Sequence, residues 1–291
     1  MTHEMPHSFG LDDAALAALP LVYQPGLFDG QVVMVSGAGS GIGKAIAFLY
    51  ARLGARLVIC GRDRAKLDAC EAWLRRLGSP EVLVQPTDIR RTDSVAALFD
   101  AAYERFGRVD VQINNAGGQF PKAALDISPK GWKAVIDNNL NGTWAMMHEA
   151  ARRWRDAGKP GSIVNIVLTF QRGFPGVAHS CAARAAVAYL SKTVAVEWAP
   201  HGIRVNCVAP GVIESSGFAH YSPEARAKFS RGNPMLRHGN VQDIANAVVY
   251  LTGPSGDFVN GELLNVDGGG ILWGELWTIP RPAYFDAGRT S

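Results

Sequence analysis

The sequence predicts an α/β chain: a seven-stranded parallel sheet, doubly wound by helices on both faces, in one domain. Two observations carry this reading. From Gln31 onward, short β-branched runs alternate with longer helical patterns, the signature of βαβ units. Most of the short runs are apolar throughout instead of alternating, as strands are when helices cover both sides of a sheet. Right-handed crossovers then bring the C-terminal ends of the strands to one edge, where ligands bind in such folds.

In chain order, residues 1–28 form an N-terminal arm. One short helix is expected at "DDAALAAL", followed by a proline-containing connection, "PLVYQPGLFDG", into the first strand. The candidate strands are "QVVMVSG", "ARLVICG", "EVLVQPTD", "VDVQINNAG", "GSIVNIV", "IRVNCVAPG" and "ELLNVDGG". They place one domain over residues 29–270. Residues 271–291 form a C-terminal tail, whose aromatic stretch "ILWGELWTIPRPAYFDAG" is expected over the substrate cleft or against a neighbouring subunit.

Composition narrows the function classes. With 47% apolar residues among 291, the chain can bury a sizeable core. A net charge of +3 with scattered lysines and arginines gives no nucleic-acid footprint. Cys60, Cys70, Cys181 and Cys207 are widely spaced with no CxxC pair, so reduced thiols are expected and no metal cluster. The start "MTHEMPHSFGLDD" lacks the pattern of a signal peptide, and no apolar run approaches the roughly 20 residues of a membrane span. The end "DAGRTS" matches neither a prenylation site nor a peroxisomal address. A cytoplasmic location without membrane contact is the expectation.

Directly after the first strand comes "SGAGSGIGKAIA", Ser36 to Ala47. Gly37, Gly41 and Gly43, with Ser40 and Ile42 between them, fall at a strand-to-helix turn. Glycines there let the backbone approach a pyrophosphate, and the following helix N-terminus offers unpaired N–H groups to anionic oxygens. Inside a βαβ unit the motif predicts dinucleotide binding. The second strand ends "VICGRDRAKL", with Arg62 where an acidic side chain would mark NAD. An arginine can pair with a 2'-phosphate instead, so NADP(H) is the expected cofactor. Asp63 is better placed as the N-cap of the next helix than as a ribose acceptor.

Further along stand "TDI" at Thr87 to Ile89, "NNAGG" at Asn114 to Gly118, "NNLNGT" around Asn139, "GSIVNI" at Gly161 to Ile166 and "NCVAPGVIESS" at Asn206 to Ser216. In order and spacing these motifs resemble the short-chain dehydrogenase/reductase family over nearly the whole chain, and a Rossmann-type fold is implied. The resemblance implies that Asp88 contacts the adenine, that Asn115 and Gly117 line the dinucleotide cleft, and that Ile213 and Ser215 approach the nicotinamide carboxamide. Ile89 and Gly211 complete the implied cofactor set.

The same resemblance exposes a departure. The family's catalytic set is a serine, a tyrosine, a lysine four residues on and an asparagine. Here Ser180 falls at the tyrosine position, Arg184 at the lysine position and Val167 or Leu168 at the serine position, leaving Asn139 intact. Tyr189 and Lys192 do not restore the pair. At about 100° per residue, Ser180 and Arg184 lie about 40° apart on one helical face, whereas Tyr189 is about 180° round from Ser180. His179 is about 100° off that face and is a weak candidate acid. Thr169 and Gln171, on the loop after the fifth strand, are within reach of a substrate.

The segments "NNAGGQF", "SPKGWKAVIDNNLNGTW" and "GFPGVAHSCAARAAV", with an arm segment like "PGLFDGQV", resemble the branch of peroxisomal trans-2-enoyl-CoA and 2,4-dienoyl-CoA reductases. That resemblance implies NADPH-dependent reduction of a C=C bond conjugated to an acyl thioester, with Asn139, Ser180 and Arg184 as the catalytic set and Arg184 also on the cofactor ribose. The chemistry is consistent with the missing tyrosine. An alkoxide must be protonated as it forms, whereas an enolate can be held by hydrogen-bond donors and protonated at carbon. Phe170, Phe174, Phe218 and Trp273 would suit an aliphatic chain. Two other readings remain open: a dehydrogenase of an isoprenoid, citronellol-type alcohol or aldehyde, and an NADP(H)-binding pseudoenzyme. The alanine-rich helix Cys181 to Ala199 resembles one that relatives pair across a subunit interface, implying a homotetramer or homodimer.

Overall fold

The computed structural model describes residues 9–274 and 278–285. The seven strands read from the sequence all form: β1 (Val32–Ser36), β2 (Arg56–Gly61), β3 (Val82–Pro86), β4 (Val111–Asn114), β5 (Gly161–Ile166), β6 (Ile203–Pro210) and, after two short strands β7 (Ile213–Glu214) and β8 (Gly239–Asn240), β9 (Leu263–Val266). They build one parallel sheet in the order β3-β2-β1-β4-β5-β6-β9. From β1 the chain runs outward through β2 and β3, then returns to place β4 on the other side of β1. A crevice therefore opens between β1 and β4 at their C-terminal ends.

The helices are α1 (Asp13–Ala18), α2 (Gly41–Arg52), α3 (Arg64–Arg76), α4 (Thr92–Phe106), α5 (Pro129–Ile136), α6 (Gly142–Ala157), α7 (Ala178–Trp198), α8 (Pro223–Arg226) and α9 (Val241–Thr252). Alternate residues of each central strand serve opposite layers. Val33 and Val35 of β1 pack in one core with α2, α3 and α9, while Val32 and Met34 pack in a second core with α4 and α6. Leu57 and Ile59 of β2 join the first core, and Val58 and Cys60 the second. That double demand is why the strands read as unbroken apolar runs.

From Asp12 onward the arm is part of this packing. Asp12 caps α1 by accepting the Ala15 N–H at 2.8 Å, Leu16 and Phe28 are buried in the first core, and the Phe28 ring stands edge-on to Tyr50 at 4.8 Å. Residues 1–8 of the arm, and 275–277 and 286–291 of the tail, lie outside the described residues. In the described part of the tail, Trp273 packs on Phe285 at 4.8 Å, with the Arg281 guanidinium 4.9 Å from the Trp273 ring. Three features went unread in the sequence. These are the small β7–β8 parallel pair, the short helices between Ser216 and Gly232, and a π-helical turn at Asp137–Asn141 that joins α5 to α6. Among the described residues no helix is long and apolar enough to cross a membrane, and no group of three His, Cys, Asp or Glu is placed to hold a metal ion.

Candidate active site

The turn from β1 into α2 is made of close backbone approaches. Gly37 and Gly41 have φ of 69° and 54°, a left-handed region that favours glycine. A Cβ on Gly43 would stand 2.3 Å from the Gly37 carbonyl oxygen, so only glycine lets α2 lie this close to the turn. Ser40 caps α2 without a side-chain hydrogen bond, which leaves the first N–H groups of the helix to a ligand. Ser36 Oγ accepts the N–H groups of Asn115 and Ala116, and Asn115 Nδ2 donates to the carbonyls of Ser36 and Gly37. Asn115 therefore ties the glycine turn to the end of β4.

A cleft of about 300 Å³ runs from this turn across the end of β2, lined by Gly37, Ser40, Arg62, Asp88, Ile89 and Gly117 among others. Asp63 caps α3 by accepting the Lys66 N–H at 3.1 Å, which commits its carboxylate to the helix. Arg62 and Lys66 are exposed along the cleft wall. Two cations stand where an acidic residue would otherwise receive a ribose diol. Lys66 escaped sequence reading, although its place four residues after Arg62 and three after the cap was the available signal. Asp88 carries both oxygens against the Arg90 side chain, at 2.8 and 2.5 Å, and that hydrogen bonding lowers its pKa to about 2. Lys66 Nζ stands 3.6 Å from Asp63 Oδ2. The glycine cradle and the open helix N-terminus fit a nicotinamide dinucleotide.

Gly117 also lines a second cavity of about 690 Å³, so the two spaces meet there. Ile42, Asn115, Asn139, Arg184, Gly211, Ile213 and Ser215 line the second cavity. Gly41 lies beside them, its absent Cβ within 3.8 Å of Ser215 Cβ. Arg184 projects from α7 and is buried, with Nη1 donating to the Ile166 carbonyl at 2.8 Å. A Cβ on Gly117 would fall 2.0 Å from Arg184 Nη2, so the guanidinium occupies the space that glycine leaves. Burial pushes the Arg184 pKa down to about 10, which keeps it a cation at neutral pH.

Asn139 sits in the π-helical turn, buried, with both ends of its amide on one residue: Oδ1 accepts the Gly118 N–H and Nδ2 donates to the Gly118 carbonyl, each at 2.9 Å. It fixes the loop after β4. Ser180 shares the buried face of α7 with Arg184, but it is not among the lining residues of either cavity. His179 is fully buried, accepts the Ser180 N–H at Nδ1 and packs edge-on to Phe120 at 4.5 Å. Tyr189 is 76% exposed and Lys192 is exposed, so this pair faces away from the site as the helical geometry required. Val167, Leu168, Thr169, Phe174 and Phe218 line the cavity, whereas Gln171 turns to Asn265 at 2.9 Å, Phe170 packs beside Val167, and Trp273 packs in the tail.

Over this floor lies a lid built from the chain after β6. Phe218 packs edge-on to Phe229 and to His238, and Tyr221 packs edge-on to Phe229. Tyr221 and Gln119 both line the cavity and meet across it, Gln119 Nε2 donating to the Tyr221 hydroxyl at 2.7 Å. Neither was a sequence candidate. They are 102 positions apart, and no local pattern links them.

A parallel doubly wound sheet, a glycine turn at the crossover and a cavity adjoining the dinucleotide cleft define a nicotinamide-dependent oxidoreductase of the Rossmann class. Residues 37–270 match a family model described as enoyl-(acyl carrier protein) reductase. A probable 2,4-dienoyl-CoA reductase from Bacillus subtilis is 36% identical over 257 residues, covering 87% of this chain and 98% of the relative. A cis-4-hydroxycyclohexanecarboxylate dehydrogenase from Sinomonas cyclohexanicum is 39% identical over 246 residues, covering 83% and 97%. The solved structure of a citronellol catabolism dehydrogenase from Pseudomonas aeruginosa superposes with a TM-score of 0.76 at 36% identity, covering 86% of this chain and 98% of that one. The chain belongs to the short-chain dehydrogenase/reductase family.

Proposed function

We propose that the protein reduces the C=C bond of a 2-enoyl or 2,4-dienoyl thioester, with NADPH as reductant. When bound, NADPH supplies a hydride to the double bond, whose electron pair moves to the thioester oxygen as an enolate before a solvent proton adds at carbon. The observation that carries this reading is Arg184. It is a buried, permanent cation at the junction of the two spaces, where a ketone reductase needs a tuned acid–base pair. A fixed cation favours an electron-rich intermediate electrostatically and has no proton to give near neutral pH. Apolar lining from Val167, Leu168, Phe174, Phe218 and Phe229 suits an acyl chain. Arg62 and Lys66 support NADPH over NADH. The similarity to the Bacillus dienoyl-CoA reductase supports the substrate class.

The test is NADPH oxidation, followed by absorbance, with a panel of 2-enoyl-CoA and 2,4-dienoyl-CoA esters. Turnover on at least one is expected, and none would overturn the reading. The superposition on the citronellol catabolism dehydrogenase favours a second reading, oxidation of an isoprenoid alcohol, which NADP⁺ reduction with terpene alcohols would reveal. Micromolar NADPH binding with no turnover in either assay would mark a pseudoenzyme.

We also propose that a second copy covers α7. That helix exposes Tyr189 and Val196, each 76% accessible, beside Trp144 stacked on Trp198 at 6.3 Å. Light scattering at the mass of one chain would refute it. The cytoplasm is the compartment proposed, supported by four cysteines that are all free.

A further inference from the structure

An enolate intermediate is held by hydrogen-bond donors at its oxygen, and the two asparagines of the cavity already serve the backbone around them. Asn115 holds the glycine turn, and Asn139 binds both the N–H and the carbonyl of Gly118. Arg184 is anchored at Nη1 on Ile166 and fills the space beside Gly117, from where it supplies positive charge to the cavity. Ser180 lies off the lining. The position of the family's tyrosine thus supplies no phenol.

A phenol reaches the cavity from the opposite wall. Asn139 fixes the two peptide groups that flank Gly118, so the next residue, Gln119, projects from a held backbone. Its Nε2 donates to Tyr221 Oη at 2.7 Å. The Tyr221 ring is held edge-on to Phe229 at 5.2 Å, and its carbonyl accepts from Arg226 Nη1 at 3.0 Å. A hydroxyl that accepts a hydrogen bond from an amide keeps its own hydrogen for a third group. Both side chains line the cavity, so that third group is an acceptor in the substrate space.

We propose that Tyr221 is a catalytic residue, its phenol donating a hydrogen bond to the thioester oxygen, with Gln119 as the residue that positions it. The inference rests on the thioester-reductase reading above. The bond strengthens as the carbonyl oxygen becomes an enolate oxygen, so it lowers the barrier more than it tightens ground-state binding. The phenol keeps its proton throughout. The hydride adds at one carbon of the double bond, the π pair passes to oxygen, and the proton that completes the reduction at the other carbon comes from solvent. A donor on the lid also makes full activity depend on lid closure over the bound acyl group.

The experiment is stopped-flow NADPH oxidation with a 2-enoyl-CoA, comparing the native enzyme, Tyr221→Phe and Gln119→Glu. Tyr221→Phe keeps the ring packed on Phe229 and removes the donor alone. Its kcat is expected to fall about 100-fold, with KM for the thioester changed less than threefold and NADPH affinity unchanged. Gln119→Glu replaces a donor with an acceptor that captures the phenolic hydrogen, so its kcat should fall about tenfold or more while NADPH affinity holds. A Tyr221→Phe enzyme with native kcat, or one altered only in KM, overturns the inference and leaves the thioester reading standing. So does a Gln119→Glu enzyme with native kcat. A native enzyme inert toward every thioester overturns both.

Discussion

Around the glycine turn, backbone meets backbone at distances that admit no side chain. Above the second cavity, the chain from Ser215 to Asn240 is held by short local turns, ring contacts and side-chain hydrogen bonds, and it joins a strand only at the two-residue β8. A Cβ on Gly43 would sit 2.3 Å from the Gly37 carbonyl oxygen, whereas a Cβ on Gly217 in the lid would meet Ser215 Oγ at an ordinary 3.4 Å. On the proposed reading, the first region takes a constant group, the pyrophosphate, on closely packed backbone. The second takes a variable group on side chains. A substitution should therefore cost stability and cofactor together in the first region, but turnover or substrate KM alone in the second.

The largest effect expected is Gly43→Ala. Its methyl meets the Gly37 carbonyl and Asn115 Nδ2, neither of which can yield without opening the β1–β4 crevice. Stability should fall by about 3 kcal/mol and NADPH binding should be lost. Gly217→Ala should stay within about 0.5 kcal/mol of the native chain. Urea unfolding and fluorescence titration measure both. Equal losses in the two variants would erase the contrast between the regions.

Arg184 stands on the boundary, and Arg184→Met separates stability from chemistry. Replacing a buried cation by a side chain of similar length should stabilise the fold by about 1 kcal/mol or more, outweighing the bond to the Ile166 carbonyl, while turnover falls about 100-fold. A calorimetric Tm that falls instead would show that the cation is already compensated. The sign with pH follows from a folded value near 10, held below that of an ordinary guanidinium by burial. Above about pH 10 the unfolded chain binds more protons, so this residue makes stability rise with pH there and leaves it flat below. Activity should accordingly show no basic limb from Arg184 between pH 7 and about pH 9.

Local rules explain which parts of this site were legible in the sequence. The glycine turn, the Asp63 cap, the shared face of Ser180 and Arg184 and the outward turn of Tyr189 all follow from backbone geometry or helical period within a few residues. The seven strands were legible because two-sided burial leaves an unbroken apolar run. What escaped depends on contacts remote in the chain. The closure of Gln119 on Tyr221 joins two loops, and the capture of Gly118 by Asn139 depends on a π-helical turn with no sequence signature. Alignment puts Ser180 in the catalytic set at the tyrosine position, and a shared helical face says which way a side chain points and not how far it reaches. Arg184 is long enough to reach the cavity, and serine is among the shortest side chains.

Arg62→Ala sharpens the comparison inside the cofactor region, where a side chain instead of backbone should decide between two dinucleotides. Loss of a charge-assisted bond to a 2'-phosphate should raise KM for NADPH about 30-fold, equivalent to about 2 kcal/mol, with KM for NADH nearly unchanged. Steady-state kinetics with both cofactors measure the ratio. An equal rise for both would assign Arg62 to the cleft wall in general and leave the 2'-phosphate to Lys66.

The smallest effect tests where the two regions join. Phe9 of the arm lies 6.2 Å from the Phe218 ring, and the Arg226 guanidinium stands 4.4 Å over the Phe9 ring. Gly10 follows it, donating its N–H to Glu214 Oε1 at 3.3 Å and lying against Ser215. Phe9→Ala removes one ring and one cation–π contact from the lid's outer side, a loss of about 0.5–1 kcal/mol. If the lid serves the acyl group alone, KM for the thioester should rise about two- to fivefold while KM for NADPH stays constant. A matching rise for NADPH would mean that the arm acts through Ser215 on both ligands. The boundary between the rigid and the adaptable region would then run through β7, with the arm fastening the one to the other.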